Sequence, residues 1–93
     1  MGRMNDQSFK QRGAGVIKWI RNNHGLSQVE LAKKLGVTQS CISKIENASI
    51  SLAAVVLLNI CDSFNISTRV FTESNWQDLL GKSLSPKERA RRA

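Results

Sequence analysis

The polar side chains Gln39, Ser40, Ser43 and Lys44 alternate with the apolar residues Cys41, Ile42 and Ile45 in the run Thr38–Asn47. If that run is a helix with Ile42 and Ile45 turned inward, two amide- or hydroxyl-bearing residues, a further hydroxyl and one amine face outward. These are the groups that read base edges in the major groove: a glutamine amide pairs with adenine, a lysine amine with guanine, and a serine hydroxyl with several partners. Chemistry of other kinds finds no support. The 93 residues contain no paired carboxylates at a useful spacing, no nucleophile–base set, no glycine-rich phosphate loop and no Cys/His cluster, so neither a catalytic residue, a metal nor a cofactor is expected. Cys41 and Cys61 sit in apolar helical patterns outside any CxxC motif and read as small buried hydrophobes.

The elements that must hold the polar row follow from capping signals. An apolar pattern with Val16, Ile17 and Ile20 predicts a helix from about Phe9 to His24, weakened early by Gly13 and Gly15 and ended by Gly25. His24 at its end reads as a favourable C-terminal charge or cap. Ser27 and Glu30 form an S-x-x-E capping box for a second helix carrying Leu31, Ala32 and Leu35, which stops at Gly36. Thr38 caps the third. Helices this short are unstable alone and must brace each other. After a loop at 47–51, Ser51 is expected to cap an apolar helix, Leu52–Phe64, whose residues Val55 to Phe64 cover more than one face and so predict burial on more than one side. The β-branched segment 66–72 reads as a short strand or a short helix. Ser74 or Asn75 then caps a helix through Trp76, Leu79 and Leu80 to Gly81, and Ser85-Pro86-Lys87-Glu88 starts another that leads into a basic tail.

The segment GLSQVELAKKLGVTQSCISKIEN resembles the phage repressor and Cro family, the XRE-type helix-turn-helix, with similarity extending over about Val16–Ser67. Apolar, small, glycine and polar positions match together. The resemblance implies an all-α fold, a compact bundle of about five short helices like the lambda-repressor DNA-binding domain, with a C-terminal extension. It implies that Gln39, Ser40 and Lys44 read bases, with Ser43 a fourth. Gln28, at a helix N-terminus beside Ser27, becomes a phosphate anchor that also packs against Gln39, and Asn47 a phosphate contact after the recognition helix. Arg21 and Glu46 match the family's buried ion pair. Two departures stand out: Ala48 replaces the usual glycine, and Ala48-Ser49-Ile50 lacks the lysine or arginine often found in that loop.

Charge fits this expectation without deciding it. The chain carries 14 basic and 7 acidic residues, a net charge of +7, which favours a polyanion, either double-stranded DNA or an acidic membrane surface. Against the membrane, the apolar helix is too uniformly hydrophobic and the basic residues do not line its polar face. Arg3, Lys10 and Arg12 near the start either reach flanking phosphates or lie disordered, and the basic tail is either a DNA-contacting arm or a solvated helix face. The longest apolar run, Leu52–Ile60, is too short to span a bilayer, and the start of the chain lacks an apolar leader. A cytoplasmic protein is expected. The organisation expected is a loose stretch at 1–8, a DNA-binding domain at 9–66, a dimerisation extension at 67–84 and a basic tail at 85–93. Val70, Phe71, Trp76, Leu79 and Leu80 supply apolar area for a homodimer, because one recognition helix reads too few bases alone. Thr68–Thr72 is similar to the interchain strand of Hip-type antitoxins, which share this motif. The expected function is therefore a dimeric repressor reading a palindromic operator; the alternative is an antitoxin that regulates itself through the same motif and also holds a toxin or co-regulator.

Overall fold

The computed structural model describes residues 5–82. Helices α1 (Asp6–His24), α2 (Gln28–Leu35), α3 (Gln39–Glu46), α4 (Ala54–Phe64) and α5 (Trp76–Lys82) are joined by short connections, with a 3₁₀ turn at Thr68–Phe71 before α5. No strand occurs among the described residues. Helix α3 packs against both α1 and α2, and the 3₁₀ turn and α5 close over α1. The core is built from Val16, Ile17 and Ile20 of α1, Leu31 and Leu35 of α2, Ile42 and Ile45 of α3, and Ile60 of α4, with Val70 and Leu80 from the C-terminal part.

Four helices end in one way. Gly25, Gly36, Ala48 and Asn65 all have φ between 53° and 72°. The next amide then turns back to a carbonyl five residues earlier: Leu26 to Arg21, Val37 to Ala32, Ser49 to Lys44 and Ile66 to Cys61, each at 2.9 Å. This is the Schellman arrangement, which satisfies end carbonyls and folds the following apolar residue inward. Leu26, Val37 and Ile66 accordingly join the core. Ala48 thus keeps the shape that glycine gives this loop elsewhere in the family, at the steric cost of a Cβ in the left-handed region.

Several boundaries differ from expectation. Helix α1 starts three residues before Phe9, because the Asn5 side chain accepts a hydrogen bond from the Ser8 amide at 2.7 Å and caps it. Ser51 does not cap α4; its hydroxyl donates to Asp6 at 3.1 Å. Leu52 is drawn into the core and Ala53 after it is extended, so α4 begins only at Ala54, without a side-chain cap. Helix α4 buries one face, Val56, Ile60 and Phe64, rather than several, and Val55 and Leu58 are exposed. The segment 68–71 is a 3₁₀ turn because its neighbours Val70 and Phe71 are both buried. A strand would send adjacent side chains to opposite faces. Helix α5 continues through Gly81 to Lys82. The helix start at Ser85 and the basic tail lie outside the described residues.

Arg12 is expected from the sequence either to reach a flanking phosphate or to lie disordered. Instead its Nη1 donates to the carbonyls of Val70 and Glu73, both at 3.0 Å, and its guanidinium lies 5.2 Å from the Trp76 ring centre. Trp76 rests on Gly15, where a Cβ would come within 2.8 Å of the indole tip. Gly15 therefore admits the indole rather than merely weakening α1. Arg12→Ala leaves two part-buried carbonyls without their donor and is expected to cost about 2 kcal/mol, read by urea denaturation, with the amides of 70–80 losing most hydrogen-exchange protection. Ala48→Gly is expected to raise stability by about 0.5–1 kcal/mol, the relieved left-handed strain less the added unfolded-state entropy; the same denaturation assay measures it.

Candidate nucleic-acid interface

Helices α2 and α3 hold the polar row in place through reciprocal capping and a close crossing. Ser27 Oγ accepts from the Glu30 amide at 3.0 Å, while the Glu30 carboxylate accepts from the Ser27 amide at 2.8 Å. The bond from the Ser27 backbone, followed by that to its side chain, holds the Glu30 carboxyl below its ordinary range. Thr38 Oγ1 accepts from the Cys41 amide at 3.1 Å and starts α3. Ile42 and Ile45 are buried at 0% and 1% exposure, and Ala32 is buried in α2. With that side of α3 fixed, Gln39, Ser40 and Lys44 are exposed and Ser43 is half-buried. Ser27 at the N-cap of α2 and Asn47 just after α3 are also exposed, and Gln28 is half-buried.

A chain of side-chain bonds runs from the core to this surface. Arg21 grips Glu46 with two parallel bonds, Nε to Oε2 and Nη2 to Oε1, and its Nη1 donates to the Leu26 carbonyl at 3.1 Å. Gln28 Nε2 donates to Glu46 Oε1 at 3.2 Å, and Gln39 Nε2 donates to Gln28 Oε1 at 2.6 Å. The first residue of the polar row is thereby tied, through Gln28 alone, to an ion pair anchored on α1. Burial pushes the Glu46 carboxyl upward, but the bonds from Arg21 and then Gln28 outweigh it and hold the carboxyl below its ordinary range. The Glu46 bond raises the Arg21 guanidinium correspondingly. Glu46 is the buried charge whose removal from water must be compensated by good geometry.

The structure thus brings Arg21, Glu46, Gln28 and Gln39 into one connected set. It places Ser40, Ser43 and Lys44 along the same helix, with Ser27 and Asn47 at flanking helix ends. The five residues expected at a dimer contact divide. Val70, Phe71 and Leu80 belong to the protomer's own core at 0%, 3% and 0% exposure, while Trp76 and Leu79 are partly exposed beside it. His24 lies against Phe64, with ring centres 4.9 Å apart, and Lys34 Nζ sits 5.6 Å from the centre of the same Phe64 ring. Burial pushes the Cys61 thiol up, in keeping with a packed hydrophobe. Among the described residues, no group of three or more His, Cys, Asp or Glu could hold a metal ion, and no helix is long and apolar enough to cross a membrane. Sequence reasoning missed the Arg12 clamp, since its acceptors are backbone carbonyls that leave no mark on residue types. It also missed the Gln28–Glu46 bond, although the i-to-core spacing of Gln28 and the buried acid together hinted at it.

The helix-turn-helix family model matches residues 17–71. The chain belongs to the XRE-type helix-turn-helix family. Its DNA-binding motif is the α2–α3 pair. Antitoxin PezA of Streptococcus pneumoniae serotype 4 is 32% identical over 74 residues, covering 77% of this chain and 42% of that protein. Antitoxin HipB of Escherichia coli K12 is 32% identical over 62 residues, 67% of this chain and 70% of that protein. HipB of Escherichia coli O6:H1 matches at the same identity and covers 66% of its own length. The match spans less than half the length of the pneumococcal relative and about two thirds of the HipB proteins. No solved structure matches the chain.

Arg21→Met is expected to cost about 3–5 kcal/mol, because Glu46 is left buried and unpaired, whereas adding Glu46→Leu should recover most of the loss; denaturant unfolding of both variants checks this. The pH dependence has a definite sign. In the native chain the lowered Glu46 carboxyl contributes stability that is full above the ordinary carboxylate value of about 4.3. That stability is lost as the pH falls through the lower folded-state value. In Arg21→Met, burial without the guanidinium raises the carboxyl, so the variant should be most handicapped at neutral pH and recover part of the deficit as Glu46 protonates.

Proposed function

We propose that this helix-turn-helix chain is a dimeric repressor that reads a palindromic operator. Helix α3 enters the major groove with Gln39, Ser40, Ser43 and Lys44 toward base edges, and Ser27, Gln28 and Asn47 hold phosphates on either side. The observation that carries the reading is the exposed polar row on α3 whose first member is tethered to a buried ion pair, since a side chain held in one geometry discriminates between bases better than a mobile one. In this reading one Gln28 amide hydrogen holds Glu46 and the other is left for a phosphate oxygen. The basic residues at both ends add affinity without sequence information. Two copies place their recognition helices in successive grooves, about 34 Å apart.

A second reading is favoured by the relatives, all three of which are named antitoxins. Under it the same surface binds the protein's own promoter while another surface holds a toxin. The two readings share the DNA-binding step and differ in the partner. A toxin would be encoded beside this gene, would be lethal when expressed alone and would co-purify with this chain.

Selection of bound duplexes from a random pool tests the shared step. It is expected to enrich an inverted repeat with half-sites about one helical turn apart. On that operator, Lys44→Ala should relax preference at one base position and cost about 1–3 kcal/mol there. Gln28→Ala should weaken all sites more evenly. A Lys44→Ala protein with unchanged affinity and unchanged ranking of sites is the result that removes α3 as the reading helix.

A further inference from the structure

The outer face of α4 is apolar and exposed. Val55 and Leu58, one helical turn apart, are 66% and 57% exposed, and Ile50 in the loop that leads into α4 is 36% exposed. Ala53 and Ala54 beside them are exposed too. Large aliphatic side chains gathered on one face of so small a protein mark a contact surface. The apolar face of α4 that the core requires is already supplied by Val56, Ile60 and Phe64, so the fold does not account for Val55 and Leu58.

Charge indicates what covers this face. No lysine or arginine occurs between Lys44 and Arg69, in a chain whose net charge is +7. Of the acids in that interval, Glu46 is neutralised by Arg21, which leaves Asp62. Two copies of so basic a protein repel one another across most of their surfaces. The face carrying Ile50, Val55 and Leu58 has no lysine or arginine of its own, with Lys34 at its far end against Phe64 and Lys10 held by Asp6 beside Ser51. The basic tail is an unsuitable occupant, since residues 83–93 hold Lys87, Arg89, Arg91 and Arg92 and a single large apolar residue, Leu84. The C-terminal extension offers less to a second copy: Val70, Phe71 and Leu80 are already in the core, and Trp76 is partly covered by Arg12 and α1.

We propose that the Ile50–Val55–Leu58 face is a two-fold contact between two copies of this chain. The proposal rests on the reading of the protein as a dimeric DNA-binding regulator and assigns the surface through which the dimer forms. A two-fold contact must be self-complementary, and an uncharged aliphatic patch is. The loop carrying Ile50 follows directly from α3, so the contact couples the two recognition helices through a short path. The described protomer measures 35 × 34 × 20 Å, so two protomers side by side span the about 34 Å between successive major grooves without any long connecting arm. Few large side chains are involved, where a standard stable interface uses about 20–30 residues per partner. The contact is therefore weak in free solution and is completed on DNA, where both copies are held side by side.

The test uses the full chain in two assays: sedimentation equilibrium over a wide concentration range, and titration of duplexes carrying one or two half-sites of the selected operator. Leu58 is exposed, so Leu58→Glu should melt like the wild type, and Val55→Asp serves as an independent variant. Both are expected to weaken self-association at least about tenfold and to abolish cooperative binding to paired half-sites while leaving single half-site affinity nearly unchanged. Cooperativity and self-association that survive in both variants overturn the proposal, as does their loss in Leu79→Glu alone, which moves the contact to α5. A wild type that neither self-associates nor binds paired half-sites cooperatively also overturns it. If the selection enriches no sequence but Leu58→Glu still dissociates a wild-type dimer, the operator reading fails and the α4 contact stands.

Discussion

The Arg21–Glu46 pair is the constraint on which the rest of the structure depends. It crosses from the longest helix to the last turn of α3, and it does so where Glu46 has only 7% exposure. A carboxylate taken that far out of water needs its partner in one position, so the pair fixes the rotation of α3 about its own axis more sharply than the packing of Ile42 and Ile45 could do alone. Rotation of α3 decides which side chains point outward. The hydrogen-bond chain through Gln28 then extends the same constraint to Gln39, and the Schellman turn at Ala48 holds the end of α3 from the other side.

The C-terminal part of the described chain acts as a brace for this arrangement. Arg12 and Trp76 fasten the 3₁₀ turn and α5 onto the first half of α1, opposite the end that carries Arg21. Helix α1 is thereby held at both ends, by apolar and cation–ring contacts near its start and by the ion pair near its finish. The net positive charge is unevenly spread along this frame, with Lys33, Lys34 and Lys44 in α2 and α3 and no lysine or arginine from residue 45 to 68. In the proposed reading, affinity for a polyanion and contact between copies fall on different surfaces, following the distribution of lysine and arginine along the chain.

The α2–α3 motif was legible because its signals are local. Ser27 with Glu30, Gly36, Thr38 and the spacing of Leu31, Leu35, Ile42 and Ile45 each state a cap, a turn or a buried position within a few residues. Arg21 and Glu46 were legible through the family resemblance, which supplied a pairing that spacing alone does not. The C-terminal part was harder to read. The β-branched residues of 66–72 favour a strand by composition, and only the joint burial of Val70 and Phe71, a tertiary requirement, makes the turn. Apolar area read as a dimer surface in that region is largely core, because α1 presents Gly15 and Arg12 as a seat for it. Helix α4 shows the converse: its uniform hydrophobicity implied burial on more than one side, whereas the protomer covers one face. Composition reports how much apolar surface exists, and the tertiary arrangement decides which part of it is left over.

The most direct measurement is the specificity ratio of the double variant Arg21→Met/Glu46→Leu, its affinity for the selected operator over that for scrambled DNA at one salt concentration. The exchange removes one positive and one negative charge, so the net charge and the salt-dependent, non-specific binding should stay as they are. If the buried pair sets the orientation of α3 and the tether to Gln39, the variant keeps its fold and its non-specific affinity but its specificity ratio falls by about tenfold or more. A folded double variant with the wild-type ratio would show that α3 is oriented by apolar packing alone and would contradict the account.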